Sequence, residues 1–155
     1  MTLEIEKKFL IKTLPINIEE YPKEEIIQGY LTINHDGSSA RIRQKNNKYF
    51  LTIKKGEGLI REEYETEISK EQFTTLWPAT NKQNLEKTRY RIPYNNLAIE
   101  LDIYKNNLKG LYTAEIEYNS ETEANDTNIP NWFGKEVTED LSYSNQSLAI
   151  KGSPK

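Results

Sequence analysis

Apolar and charged residues alternate with period two along most of this chain, the signature of strands that present one greasy and one polar face. In Leu3–Leu10, Leu3, Ile5 and Phe9 fall on one parity and Glu4, Glu6 and Lys8 on the other. The same rhythm returns in Ile26–Ile33, Ser39–Lys45, Lys48–Lys55, Ile60–Ile68, Asn84–Ile92, Leu97–Tyr104 and Leu111–Tyr118. Short turn signals separate many of these runs: Asp36–Gly37, Asn46–Asn47, Gly56 with Gly58, and Pro93–Asn96. Two-residue turns of this kind join antiparallel neighbours. The pattern therefore predicts eight strands, mostly antiparallel. Helical signals are few. Ser69 followed by Gln72 is a capping box ahead of Phe73, Leu76 and Trp77. Shorter helical pieces are expected at Ile18–Tyr21 and Glu121–Asn125, and a turn or two at Ser142–Ile150.

The polar parity is unusual because charge dominates it. It carries Glu4, Glu6 and Lys8; Arg41, Arg43 and Lys45; Lys54; Arg61, Glu63, Glu65 and Glu67; Lys87, Arg89 and Arg91; Glu100 and Asp102; Glu115 and Glu117. A wet sheet face, with cross-strand ion pairs of about 1 kcal/mol or less, explains any one such strand. Across eight strands that account weakens, because like charges recur at i and i+2, as in Glu4–Glu6, Arg41–Arg43 and Glu115–Glu117. Neighbouring like charges repel unless an ion of opposite sign lies between them. Divalent cations among the carboxylates and a polyanion among the bases would relieve both sets, and a metal-bound polyphosphate is both at once. Eight strands can close into a barrel that holds one small ligand. The charged parity would then line the lumen. Leu3, Ile5, Phe9, Ile42, Leu51, Ile53, Ile99, Leu101, Ile103 and Ile116 would face outward, against helices and a second subunit.

Composition narrows the chemistry. The 155 residues have the length of one domain, read as a single unit over 1–155, and a polar one: hydrophobic content is 35% and charged content 29%. A net charge of −3 gives no basic footprint for nucleic acid. With no cysteine and one histidine, His35, in a turn-like stretch, a metal would be held by oxygen, which favours Mg²⁺, Mn²⁺ or Ca²⁺. No signal peptide and no membrane-length apolar run are present, so the expectation is a soluble cytoplasmic protein.

Glu4-Ile5-Glu6-Lys7-Lys8 resembles the ExExK signature of the CYTH, or triphosphate tunnel metalloenzyme, superfamily. Arg41-Ile42-Arg43, Lys54, Glu63-Tyr64-Glu65, Lys87-Thr88-Arg89, Glu100-Leu101-Asp102 and Glu115-Ile116-Glu117 are similar to the charged pairs that the family repeats in this order. Gln28–Leu31, Leu76–Thr80 and Trp132–Asp140 are similar to stretches of its short bacterial members. ExExK alone is weak; the ordered set covers nearly the whole chain. The resemblance implies an α+β, mainly β fold, an eight-stranded antiparallel tunnel that binds a triphosphate with Mg²⁺ or Mn²⁺. It implies hydrolysis, with inorganic tripolyphosphate the first candidate substrate and a homodimer a common assembly.

On that basis Lys8, Arg41, Arg43, Lys54, Lys87 and Arg89 are expected to grip phosphates. Glu4, Glu6, Asp102, Glu115 and Glu117 are expected to hold metal. Lys8, Glu63 and Glu65 are the catalytic candidates, the two acids orienting water or bases. Arg61, Glu67, Arg91 and Lys45 are equally well read as rim charges, and Trp77 and Trp132 as packing residues. Rival readings are a class IV adenylate cyclase, a thiamine triphosphatase and a non-catalytic polyphosphate-binding module.

Overall fold

The computed structural model describes residues 2–36, 38–56 and 59–154. Among these residues nine strands form a single sheet: β1 (Thr2–Ile11), β2 (Lys23–Ile33), β3 (Ser39–Lys45), β4 (Lys48–Lys55), β5 (Ile60–Ile68), β6 (Asn84–Tyr94), β7 (Leu97–Tyr104), β8 (Tyr112–Glu117) and β9 (Phe133–Glu136). The order is β5-β4-β3-β2-β6-β7-β8-β1-β9, and β5 also pairs with β1. Eight strands thus close into an antiparallel barrel. The short β9, which periodicity does not announce, prolongs the β1 edge beyond β5 through Phe9–Glu136 and Ile11–Phe133.

Local chemistry sets most joints. Asn46 and Asn95 each adopt a positive φ, 53° and 56°, in the two-residue turns that bring Lys45 opposite Lys48 and Tyr94 opposite Leu97. Asparagine tolerates that conformation better than most residues. Gly37 and Gly58, read from the sequence as turn glycines, lie outside the described residues. Helix α1 (Lys70–Leu76) starts on the expected capping box, with Ser69 and Gln72 bonding reciprocally. Its Phe73 packs between Tyr49 and Trp77, at centroid distances of 5.1 and 5.2 Å. Helices α2 (Glu121–Asp126) and α3 (Asn145–Lys151) are capped by Ser120 and Ser144.

The apolar parity faces outward. On β6, β7, β8 and β1 it forms the main core: Tyr90, Ile92, Ile99, Leu101, Ala114, Ile116 and Ile11 are buried, with Leu14, Ile18, Trp132, Phe133 and Ala124 of α2 packed against them. Over β4, β5 and the start of β1, Leu3, Ile53, Ile60 and Tyr64 stay exposed. The lumen is not polar throughout. Leu85, Tyr104, Leu108 and Leu148 of α3 form a small second core, in which Tyr104 stands opposite the inward-facing Lys87. Helix α3 therefore sits against one end of the barrel. Among the described residues no helix is long and apolar enough to cross a membrane.

Gly29 of β2 is needed for space. A Cβ there would meet Thr80 Cγ2 at 2.5 Å and Trp77 Cζ3 at 3.0 Å, both on the single turn Trp77–Thr80 lying across β2. Gly29→Ala should therefore cost about 1–3 kcal/mol, read as a fall in Tm of several degrees. An unchanged Tm would show that this turn is free to lift.

Candidate active site

Register brings the charged residues face to face inside the barrel. Glu6 stands opposite Glu117, Lys8 opposite Glu115, Glu100 opposite Glu115, Lys54 opposite Glu63 and Arg89 opposite Asp102. Two of these pairings set acid against acid, which is destabilising for a sheet without a cation nearby. The charges are segregated. Carboxylates gather on the arc β7–β8–β1–β5. Most bases gather on the arc β4–β3–β2–β6, where β2 contributes the neutral Gln28 and Tyr30, while Lys8 of β1 and Arg61 of β5 stand among the acids. Between the arcs lies a cavity of about 160 Å³, room for several waters or one compact ligand.

The wall includes Lys8, Arg41, Arg43, Lys54 and Arg89 among the expected phosphate binders. It includes Glu4, Glu6, Glu115 and Glu117 among the expected metal ligands, and Glu63 and Glu65 among the catalytic candidates. Arg61 and Lys45, read as equally well rim charges, also line it, as does Glu100. Arg91 and Glu67 are exposed. Trp77 stacks on Phe73 and Trp132 meets Phe133 edge-on, outside the cavity.

Lys87 and Asp102 are not on the wall. Both are completely buried behind it. Asp102 accepts from Lys87 Nζ at 2.8 Å and from Arg89 Nε and Nη2 at 2.7 and 2.9 Å, so both its oxygens are already spent on cations. Burial pushes the Lys87 ammonium down to about 7 against the opposing pull of Asp102. This has a pH signature. Below pH 7 the amine is charged in both states and its full burial cost weighs against folding. As pH rises through 7 the folded protein gives up the proton first, while the unfolded chain keeps it to about 10.5, so the cost shrinks across that window. The Tm difference between Lys87→Met and the wild type should therefore shift by several degrees in favour of the wild type between pH 7 and 10. A constant difference would mean that Lys87 keeps its charge throughout.

The basic arc is under-neutralised. Arg41 and Arg43 are buried, and the Nε of each has no hydrogen-bond partner among the described residues. Among the described residues Arg43 meets the Glu65 carboxylate at 3.7 Å. Burial, with the neighbouring Arg41 and Arg89, pulls its pKa down to about 10. The acidic arc shows the converse. Glu63 is raised by burial and by Glu4, with which it shares a hydrogen bond, although Lys54 lies 3.6 Å away. Glu117 is raised by burial and by Glu4, Glu100 and Glu63. Burial opposes ionisation of Glu4 too, but Lys54 at 2.9 Å outweighs it and keeps Glu4 low. For Glu115 burial is likewise overcome, by Lys8, Arg89, Lys87 and Lys54, and the carboxyl is held far below its usual range. Glu6 is ion-paired with Arg61. Among the described residues no three acids converge closely enough to hold a metal ion by themselves.

Sequence reasoning did not assign the segment Ser144–Gln146, which also lines the cavity. It follows a single turn at Leu141–Tyr143, and the Tyr143 carbonyl accepts from Lys8 Nζ at 3.0 Å. Its polar composition, Ser-Asn-Gln, carries no charge pattern that would have marked it.

A family model described as the CYTH domain matches residues 2–153. An inorganic triphosphatase of Nitrosomonas europaea is 44% identical over 149 residues, covering 95% of this chain and 97% of that protein. An inorganic triphosphatase of Acetivibrio thermocellus is 35% identical over 155 residues, covering 96% and 94%. The crystal structure of an inorganic triphosphatase superposes with a TM-score of 0.73 at 40% identity, covering 99% of each chain.

Proposed function

Because the chain belongs to the CYTH domain family, we propose that it is a metal-dependent hydrolase of inorganic tripolyphosphate, releasing pyrophosphate and phosphate. The observation that carries this reading is the segregated lumen: buried, under-neutralised arginines across a small cavity from crowded carboxylates. The names of the two close relatives support it.

In this reading Arg41, Arg43, Lys54, Arg89 and Lys8 bind the phosphates. Guanidinium forks suit phosphate edges, and the unpartnered Nε atoms of Arg41 and Arg43 are donors still to be used. Lys87 and Asp102 act from behind, fixing Arg89 rather than meeting substrate or metal. Glu4, Glu6, Glu115 and Glu117 would hold Mg²⁺ or Mn²⁺. The donors are oxygen only, and the mutual repulsion of Glu4, Glu63 and Glu117 asks for a cation. Since no acidic trio is preformed, phosphate oxygens and water would complete the shell, as is usual for Mg²⁺. When bound, the ion would neutralise developing charge and acidify an attacking water. Glu63 and Glu65 position that water; Glu65 is already oriented by Thr52, which donates to it at 2.7 Å. Positioning and charge neutralisation supply most of the catalysis in such transfers. We place the enzyme in the cytoplasm, and a second copy over the exposed Leu3, Ile53, Ile60 and Tyr64 face.

The test is a substrate panel of tripolyphosphate, ATP and thiamine triphosphate, each with Mg²⁺, with Mn²⁺ and with EDTA. Phosphate release from tripolyphosphate that EDTA abolishes is the expected result, together with a polyanion-dependent rise in Tm. Cyclic AMP from ATP would replace this reading with a cyclase. Preferred cleavage of thiamine triphosphate would change the substrate, and tight binding without turnover would leave a polyphosphate-binding module.

A further inference from the structure

The side chain of Asn145, the first residue of α3, has a polarity that its surroundings dictate. Its Oδ1 accepts two hydrogen bonds, from Tyr104 OH at 2.7 Å and from Lys87 Nζ at 3.3 Å. While Lys87 is charged it has donors and no acceptor, so turning the carboxamide over would set its N–H groups against the ammonium and cost the bond from Tyr104 as well. Lys87 is in turn held by Asp102, and Tyr104 is buried in the small core under α3. The Ser144 cap fixes the backbone, accepting from the Ser147 N–H at 3.2 Å. Both contacts hold the amide with its oxygen toward Lys87 and Tyr104. Its Nδ2 makes no hydrogen bond among the described residues, and Asn145 lines the cavity.

We propose that Asn145 is a substrate-binding residue whose side-chain amide, locked by Lys87 and Tyr104, donates its Nδ2–H to a phosphate oxygen in the lumen. This rests on the phosphate-binding reading of the cavity. The choice of an amide has a physical reason. A cation at this position would face the buried ammonium of Lys87, whereas a neutral donor adds a bond to an anionic oxygen without adding repulsion. Leu141–Ile150 carries no basic residue, so at this end of the tunnel the chain offers donors without charge.

Two variants separate contact from mere support. Asn145→Asp keeps an oxygen for Lys87 and Tyr104 but loses the donor. Asn145→Ala loses both and adds no charge. The readouts are Tm, the Kd for tripolyphosphate by calorimetry in EDTA, and kcat and KM with Mg²⁺. A hydrogen bond to a charged group predicts a Kd about ten- to hundredfold weaker for Asn145→Ala. Asn145→Asp should be weaker still, with a Tm at or above the wild-type value. A purely structural role predicts instead that Asn145→Asp binds and turns over like wild type, which would overturn the proposal. So would wild-type binding by Asn145→Ala, since the aspartate effect would then be charge repulsion alone. If the wild type binds tripolyphosphate but does not cleave it, the hydrolase reading fails and the Kd comparison still decides the role of Asn145. If the wild type does not bind it in EDTA but cleaves it with Mg²⁺, the KM comparison decides the role of Asn145; if it does neither, both fall.

Discussion

Asp102→Ala should be the most destabilising single substitution in the lumen. Asp102 is fully buried and joins Lys87 and Arg89 through three short hydrogen bonds. Its pKa is set by burial, which opposes ionisation, and by Arg89 and Lys87, which together outweigh it and hold the carboxyl low. Removing one partner of such a set leaves charge buried without compensation, at a cost of about 3–5 kcal/mol. Lys87 can shed its proton in response; Arg89 cannot. For a chain of this size the loss should lower Tm by about 10 °C. Turnover of tripolyphosphate should fall as well, because the Arg89 guanidinium loses the bidentate partner that aims it across the cavity. Asp102→Asn, which keeps one acceptor, should lose less of both. A variant with normal Tm would mean that Glu100, at 3.2 Å, and Glu115, at 3.9 Å, are enough to hold Arg89.

Arg43→Met should move stability and activity in opposite directions. Arg43 is buried beside Arg41 and Arg89, and its lowered pKa means that the folded state carries its charge at a cost at every physiological pH. A fall from 12.5 to about 10 corresponds to roughly 3 kcal/mol against folding. Methionine fills similar space without charge, so the free protein should gain several degrees in Tm. The same change removes a planar donor pair from the phosphate site, and kcat/KM for tripolyphosphate should drop by about a thousandfold or more, in line with losses of charge stabilisation elsewhere. The polyanion-dependent rise in Tm should shrink with it. A variant that is both less stable and fully active would sink the view that this arginine is kept for the ligand.

These expectations separate what each level of description contributes. The parity of every charged pair, from Glu4–Glu6 to Glu115–Glu117, was legible in the chain because side chains of a pleated strand alternate by local geometry alone. So were the Ser69 capping box and the asparagine turns at Asn46 and Asn95, which depend on neighbours within a few residues. The resemblance of the ordered pairs to a known family rested on the same local information.

Tertiary structure alone decided depth and partnership. Lys87 and Arg89 share a parity, yet one is sealed behind the wall and the other lines it, because the position of Leu148 and Leu108 along the barrel closes one end. Asp102 and Glu100 look equivalent in the chain, but Asp102 is sealed between Lys87 and Arg89, whereas Glu100 lines the cavity and pairs with Arg89 and the exposed Arg91. Asn145 sits 58 residues from Lys87 in an uncharged stretch, and nothing near it in sequence marks it. Periodicity says which face a residue occupies; how far along the strand the solvent ends, and which distant segment arrives there, are set by register and packing between elements that the local pattern does not encode.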